Sequence, residues 1–222
     1  MGEIMDISLI ITLLAATIRV GTPLILAALG EVFAEWAGVL NLGVEGIMLV
    51  GAIAGFYTSY DTGSLWLGMG AGILSGILFT IPFSYFCVYL GANQIIAGIS
   101  LWFLGMGISG FIYRIAFSGL WIRPTISVFP MLEVPVLSRI PILGDIFFKQ
   151  NVIVYVTFLA IFLVWLFFFH TRVGLQISAV GENPKAAASY GINVNRTRFF
   201  SVLVGGAFAG AAGAFIPLAS LG

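Results

Sequence analysis

Few residues in this chain could do chemistry, and their spacing narrows what that chemistry is. Asn41 and Glu45 stand four apart, the spacing that puts two side chains on one helical face. An amide beside a carboxylate suits a neutral, hydroxyl-rich ligand such as a ribose. The same pair could instead bond helix to helix or hold irregular backbone. Gly43 and Gly46 beside them allow a break or a close backbone approach. Broken helices near the membrane centre often build transporter sites. Asn41, Glu45 and Gly46 are therefore candidates for a substrate pathway. A buried Glu45 could alternatively carry a proton or sodium ion, the need of an ion-driven secondary transporter. Asn93 and Gln94 open another apolar run. Asn93 fits a helix N-cap, with a pathway role for both residues as the sharper reading. Glu31 and Glu35 are also four apart, in the segment GEVFAEWAG. They read as a solvated interfacial turn, or as a gate or a contact with a coupling partner.

Enzymatic chemistry has little to stand on. His170 is the only histidine and Cys87 the only cysteine, so neither a metal cluster nor an internal disulfide is expected. His170 reads as an interfacial polar residue. No Ser/His pair, zinc-binding HExxH or phosphate-binding GxxxxGK[ST] occurs. The chain is expected to be no enzyme and to hold no cofactor.

The elements that must position these residues are apolar. Of 222 residues, 60% are hydrophobic and 8% charged, with nine bases against nine acids and a mean hydropathy of +1.12. A soluble domain carries about 25% charged residues. Too little polar material exists here for a hydrated skin, and no basic surface exists for nucleic acid. The partner is the lipid bilayer. With about 20 apolar residues per span, the chain reads as an all-α, polytopic transmembrane bundle of about six spans. The windows run from about 7 to 29 (interrupted by Arg19 and Pro23), 39 to 60, 65 to 90, 94 to 117, 152 to 169 and 199 to 221. Arg19 could snorkel, pair with an acid, or mark the true start of its span, leaving a surface helix before it. Pro124, Pro130, Pro135 and Pro141 break up residues 118–151, whose tail ILGDIFF could lie on the membrane or dip into it. The acidic start MGEIMD does not read as a cleaved signal. The run WLFFFH reads as a lipid-facing anchor.

Glycine recurs at four-residue spacing: Gly51 and Gly55; Gly68, Gly72 and Gly76; Gly206 and Gly210, continuing to Ala214. Gly205, Ala209 and Gly213 form a neighbouring stripe. Lipid supplies little hydrophobic drive between helices, so small residues bring backbones together. These stripes predict tight packing, within the bundle or against a partner of similar fold.

The polar loop 171–198 carries Arg172, Lys185, Arg196 and Arg198 against Glu182. The segment 118–151 carries Arg123, Arg139 and Lys149 against Glu133 and Asp145. The denser positive charge assigns loop 171–198 to the cytoplasm. Inside it, Asn183 is a good N-cap, Pro184 suits the first helical position, and Gly191 suits the left-handed end. The result is a capped helix of about seven residues. So short a helix is marginal alone in water and needs the bundle or a partner to hold it. Its alanine face suits insertion into a groove.

That loop also carries a resemblance. Thr171-Arg172-Val173-Gly174-Leu175, Ala179-Val180-Gly181-Glu182-Asn183-Pro184, Ala186-Ala187 and Gly191-Ile192 resemble the coupling loop of ABC-transporter permeases for simple sugars and nucleosides, in the branched-chain-type binding-protein-dependent permease superfamily. Pro23, Leu29-Gly30-Glu31, the run Ala37 to Met48 and Gly51-Ala52 resemble the segment after the first span in the nucleoside-type branch. Ala92-Asn93-Gln94 with Gly98 is a third match. The pattern departs at Trp36 and Ser178, where the family tends to have bases.

The resemblance implies a fold like that of type II ABC importers, as one transmembrane permease domain over 1–222 with a short cytoplasmic coupling helix. It implies transport of nucleosides, related ribosyl compounds, simple sugars or flavins by alternating access, in the plasma membrane of a prokaryote. Gly181, Glu182, Asn183, Pro184, Lys185, Ala186, Ala187, Tyr190 and Gly191 would couple to a separate ATPase subunit, which binds the ATP. A second permease subunit, copy or paralogue, and an extracytoplasmic substrate-binding protein would complete the system. Family members are longer, so the chain corresponds to about the front two-thirds of a permease, with later spans absent.

Overall fold

A computed structural model describes residues 2–119, 124–133, 135 and 143–221. Arg123, Arg139 and Pro141 lie outside the described residues. The elements are α1 (Gly2–Trp36), α2 (Val44–Thr62), α3 (Leu65–Val88), α4 (Gln94–Phe117), β1 (Met131–Glu133), α5 (Leu143–Phe147), β2 (Lys149–Asn151), α6 (Val152–His170), α7 (Arg172–Glu182), α8 (Pro184–Ser189) and α9 (Val194–Phe215), followed by a wider π-helical turn, Ile216–Leu221.

Among the described residues, five helical segments are long and apolar enough to cross a membrane: Leu9–Trp36, Leu65–Val88, Gln94–Phe117, Val152–His170 and Val194–Ala219. The chain is a multi-pass membrane protein. The sixth expected span corresponds to α2, which is not among these five. Glu45 opens it and the polar run Thr58 to Thr62 closes it. It packs against α3, α4 and α9, so its apolar residues meet protein on several sides.

The glycine stripes make the centre. A Cβ built on Gly72 would collide with the Ala214 side chain, and one on Gly210 with the Gly72 carbonyl. Gly51 meets Gly210, Gly76 meets Gly206 and Gly210, and Gly213 meets the Met48 carbonyl. The stripes therefore serve packing within this chain, where α2, α3 and α9 approach backbone to backbone. Gly30 of α1 meets Gly205 of α9 in the same way. Around this centre, Ile47, Phe83, Leu101 and Val202 fill one apolar cluster, and Leu26, Val154, Phe215 and Leu218 another.

Several boundaries differ from the expectation. Arg19 starts no new helix: α1 runs unbroken through Arg19 and Pro23. The segment holding Glu31 and Glu35 is no turn, because α1 continues to Trp36. Glu35 is exposed, while Glu31 is half-buried with one carboxylate oxygen buried and unbonded. The Phe run of α6 divides. Phe169 is exposed, but Phe168 is buried and Phe167 and Phe168 both pack on Phe33. Trp36, the first departure from the family pattern, packs its ring 4.6 Å from that of Phe168. An apolar ring thus joins the end of α1 to α6. Between α4 and α6, β1 pairs antiparallel with β2, Met131 opposite Asn151, and α5 precedes β2.

Candidate functional site

The polar loop after α6 folds as two helices. Thr171 caps α7 by accepting from the Gly174 N–H at 3.1 Å. Gly174, Ile177 and Val180 recur every third residue and are buried, while Arg172, Val173, Leu175 and Gln176 face out. Ile177 enters a cluster with Phe33, Ala37, Val164 and Phe168. One face of α7 thus lies on the ends of α1 and α6, a helix that the charge count alone concealed.

Next comes α8, as its capping residues predict. The Asn183 side chain accepts from the Ala186 N–H at 3.0 Å, and Pro184 is the first residue. Gly191 takes φ +81°, and the Ile192 N–H reaches the Ala187 carbonyl at 3.1 Å. That left-handed closure satisfies carbonyls at the helix end. Ala187 is 3% exposed, turned inward where α8 packs on the chain's own α7 and α9. The outward face carries Lys185, Ala186, Ala188, Ser189 and Tyr190, with Tyr190 88% exposed. Glu182 and Asn183 are exposed beside it. Gly181 is half-buried, and a Cβ there would strike the Trp36 carbonyl. Gly181 and Ala187 thus seat the hairpin, and Lys185 and Tyr190 are what it presents.

The second feature is a break between α1 and α2, residues 37–43. The Gly38 N–H bonds the Glu35 carbonyl at 2.9 Å and the Val39 N–H bonds the Ala34 carbonyl at 2.9 Å, with Gly38 at φ +80°. This is the same left-handed closure seen after α8. Asn41 is buried and its side chain accepts from the Gly43 N–H at 3.0 Å. In this position the Asn41 side chain holds irregular backbone. Asn41 and Glu45 do not share a helical face, because α2 begins only at Val44. Glu45 lies exposed in the first turn of α2, where a negative charge favours the helix dipole.

The start of α4 lies against this break. Asn93 caps α4 by accepting from the Ile95 and Ile96 N–H groups, at 3.0 and 3.2 Å. Gln94 reaches out of its helix, and its Oε1 accepts from the Leu40 N–H at 2.8 Å. A Cβ on Gly98 would come within 2.9 Å of the Leu42 nitrogen, and one on Gly46 within 2.6 Å of the Trp102 Cα. On the other side, the Arg198 Nε of α9 donates to the Ala37 carbonyl at 3.0 Å. Residues 37–46, 93–98 and 181, separate in sequence, therefore meet at one end of the bundle. Arg198 joins them unforeseen. As one of four bases in a loop, it gave no sign that it would turn inward.

A cavity of about 650 Å³ opens further along α2 and α4. Leu49, Ala52, Ile53 and Phe56 line it from α2; Ser109, Gly110 and Tyr113 from α4; Ile216 and Pro217 from the π-helical turn. Its lining is apolar apart from the Ser109 and Tyr113 hydroxyls, and none of it is charged. Asn41, Glu45, Gly46, Asn93 and Gln94 do not line it.

A bundle of membrane-crossing helices, an open apolar cleft between α2 and α4 and a short exposed helix seated at one end define a polytopic permease. The chain belongs to the family described as branched-chain amino acid transport system / permease component, which matches residues 13–221. Over 211 residues it is 43% identical to TsgC13 of Haloferax volcanii, an ABC transporter permease protein whose name provisionally gives glucose as its substrate. It is 35% identical over 219 residues to the guanosine ABC transporter permease NupQ of Bacillus subtilis, and 34% identical over 211 residues to the nucleoside ABC transporter permease NupC of Lactococcus lactis. These matches cover 93%, 94% and 90% of this chain, and 63%, 68% and 65% of the respective relatives. No solved structure matches significantly. The family and the apolar helices place the chain in the plasma membrane of a prokaryote.

Proposed function

We propose that this chain is the membrane-spanning permease portion of an ATP-driven ABC importer for a neutral, hydroxyl-bearing solute, a nucleoside, related ribosyl compound or simple sugar. The observation that carries the reading is α8: a capped six-residue helix, anchored by Ala187 and displaying Lys185, Ser189 and Tyr190 outward. A helix this short is held by what it touches, and its open face is free to enter a cleft on a separate ATPase. ATP is bound and hydrolysed there, a second permease subunit faces this one, and a binding protein delivers solute outside. The names of the relatives support the solute class. So does the cavity, whose volume falls within the usual ligand range of about 300–1,000 Å³ and whose uncharged lining suits a neutral ring better than a zwitterion.

Glu45 gives little support to an ion-driven mechanism, since it lies outside the cavity at the head of α2. The test is co-purification. Tagged full-length protein from native membranes should bring down an ABC ATPase, and Tyr190→Ala with Lys185→Glu should release it while the permease stays folded. A wild type that brings down no ATPase would overturn the proposal.

A further inference from the structure

We infer that Arg198 and Gln94 are positioning residues that carry movement of the α7–α8 hairpin into the α1–α2 break and on to α2 and α4, the two helical walls of the cavity. The inference rests on the transporter reading and names the side chains through which its coupling runs.

The break is short, irregular and gripped from outside. Its Ala37 carbonyl lies just past the end of α1, where carbonyls lack helical partners. Arg198 supplies one, a charge-assisted bond from a side chain whose rigid fork fixes direction. The same guanidinium passes over Gly38, within 3.1 Å of where a Cβ would be. Leu40 has no helical acceptor for its N–H, and Gln94 supplies it. Its own Asn41 side chain closes the break onto Gly43. Neither outside contact is needed to end α1, which the Gly38 closure already does, or to start α4, which Asn93 already caps.

What the two contacts add is connection. Arg198 lies in the second turn of α9, just beyond the turn that ends α8. From the other arm of the hairpin, Gly181 rests on the Trp36 carbonyl, one residue before Ala37. A displacement of α8 therefore reaches the break from both sides. Beyond the break, Gly43 meets the Gly98 carbonyl, and Gly46 meets the backbone at Leu101 and Trp102. Such contacts have no flexible side chain between them, so the heads of α2 and α4 shift together. Leu49 to Phe56 and Ser109 to Tyr113, which line the cavity, lie further along those same helices.

The experiment uses the full-length transporter with its ATPase in proteoliposomes, measuring solute moved per ATP hydrolysed. Arg198→Gln and Gln94→Leu should each lower that ratio by about tenfold, the scale of losing one such bond, with the ATPase still bound and hydrolysing. Arg198→Lys and Gln94→Glu, which keep a cationic donor and an acceptor oxygen, should recover most of it. An unchanged ratio overturns the inference. So does a parallel fall of transport, hydrolysis and assembled complex in both pairs, because the contacts would then be purely structural. A wild-type chain that binds no ATPase sinks the transporter reading itself, and this is seen before any variant is made.

Discussion

The Arg198 guanidinium donates to the Ala37 carbonyl at 3.0 Å, joining the start of α9 to the end of α1 across 161 positions of sequence. Around that bond the hairpin, the break and the head of α4 become one structure.

Gly38 and Gly63 both have left-handed backbones, at φ +80° and +70°. A Cβ at Gly63 meets open space, whereas one at Gly38 meets Arg198. Gly63→Ala should therefore cost only the conformational strain, about 1–2 kcal/mol. Gly38→Ala should cost more and also disturb the Ala37 bond. Melting temperatures in detergent should rank wild type above Gly63→Ala above Gly38→Ala, and a reversed order of the two variants would refute the argument.

The glycine stripes make a paired comparison. Gly72→Val drives a side chain into Ala214 and the backbone of Gly51 and Gly210. The overpacking should cost about 1–3 kcal/mol or more and lower the melting temperature. Gly70, two residues away, has nothing within 4 Å of a Cβ. Gly70→Ala should be neutral or slightly stabilising, since glycine is a poor helix former.

On α8 the buried and exposed residues should separate. Asn183→Ala removes the cap and should cost about 1 kcal/mol locally, seen as faster amide exchange over residues 185–190. Ala187→Leu should unseat the helix and give the same signature. Tyr190→Ser should leave exchange unchanged yet weaken ATPase capture. Equal effects of Ala187→Leu and Tyr190→Ser on exchange would contradict the assigned orientation.

In the cavity, Tyr113→Phe and Ser109→Ala remove the two hydroxyls. If the solute bonds to them, each change should weaken binding by up to about tenfold without altering the melting temperature. Titration of purified transporter with candidate nucleosides and sugars measures this directly.

Much was legible in sequence because it depends on near neighbours. Asn93 and Asn183 start helices through bonds reaching at most three residues along, Pro184 suits the first helical position, and α4 and α8 begin where those residues say. The glycine spacing marked helix faces that pack closely. A residue's role is not legible where it depends on a distant partner. The spacing of Asn41 and Glu45 suggests one helical face, but α2 begins only at Val44, because local pattern does not reveal where the Gly38 closure ends α1. The alanine face of α8 divides, with Ala186 and Ala188 exposed and Ala187 buried, which spacing alone does not distinguish.

The sequence by itself determined that this chain lives in lipid, that it is helical, and where most helices start. Apolar run length, capping side chains and small-residue spacing are local properties, and the bilayer demands that each helix satisfy its own backbone. Only the tertiary structure decided that Gln94 leaves its helix for Leu40, that Arg198 turns from the charged loop to Ala37, and that Gly181 lies on Trp36. Those contacts join residues tens to more than a hundred positions apart. Which carbonyl or amide lacks a partner, and which side chain can reach it, is settled only when the helices have packed.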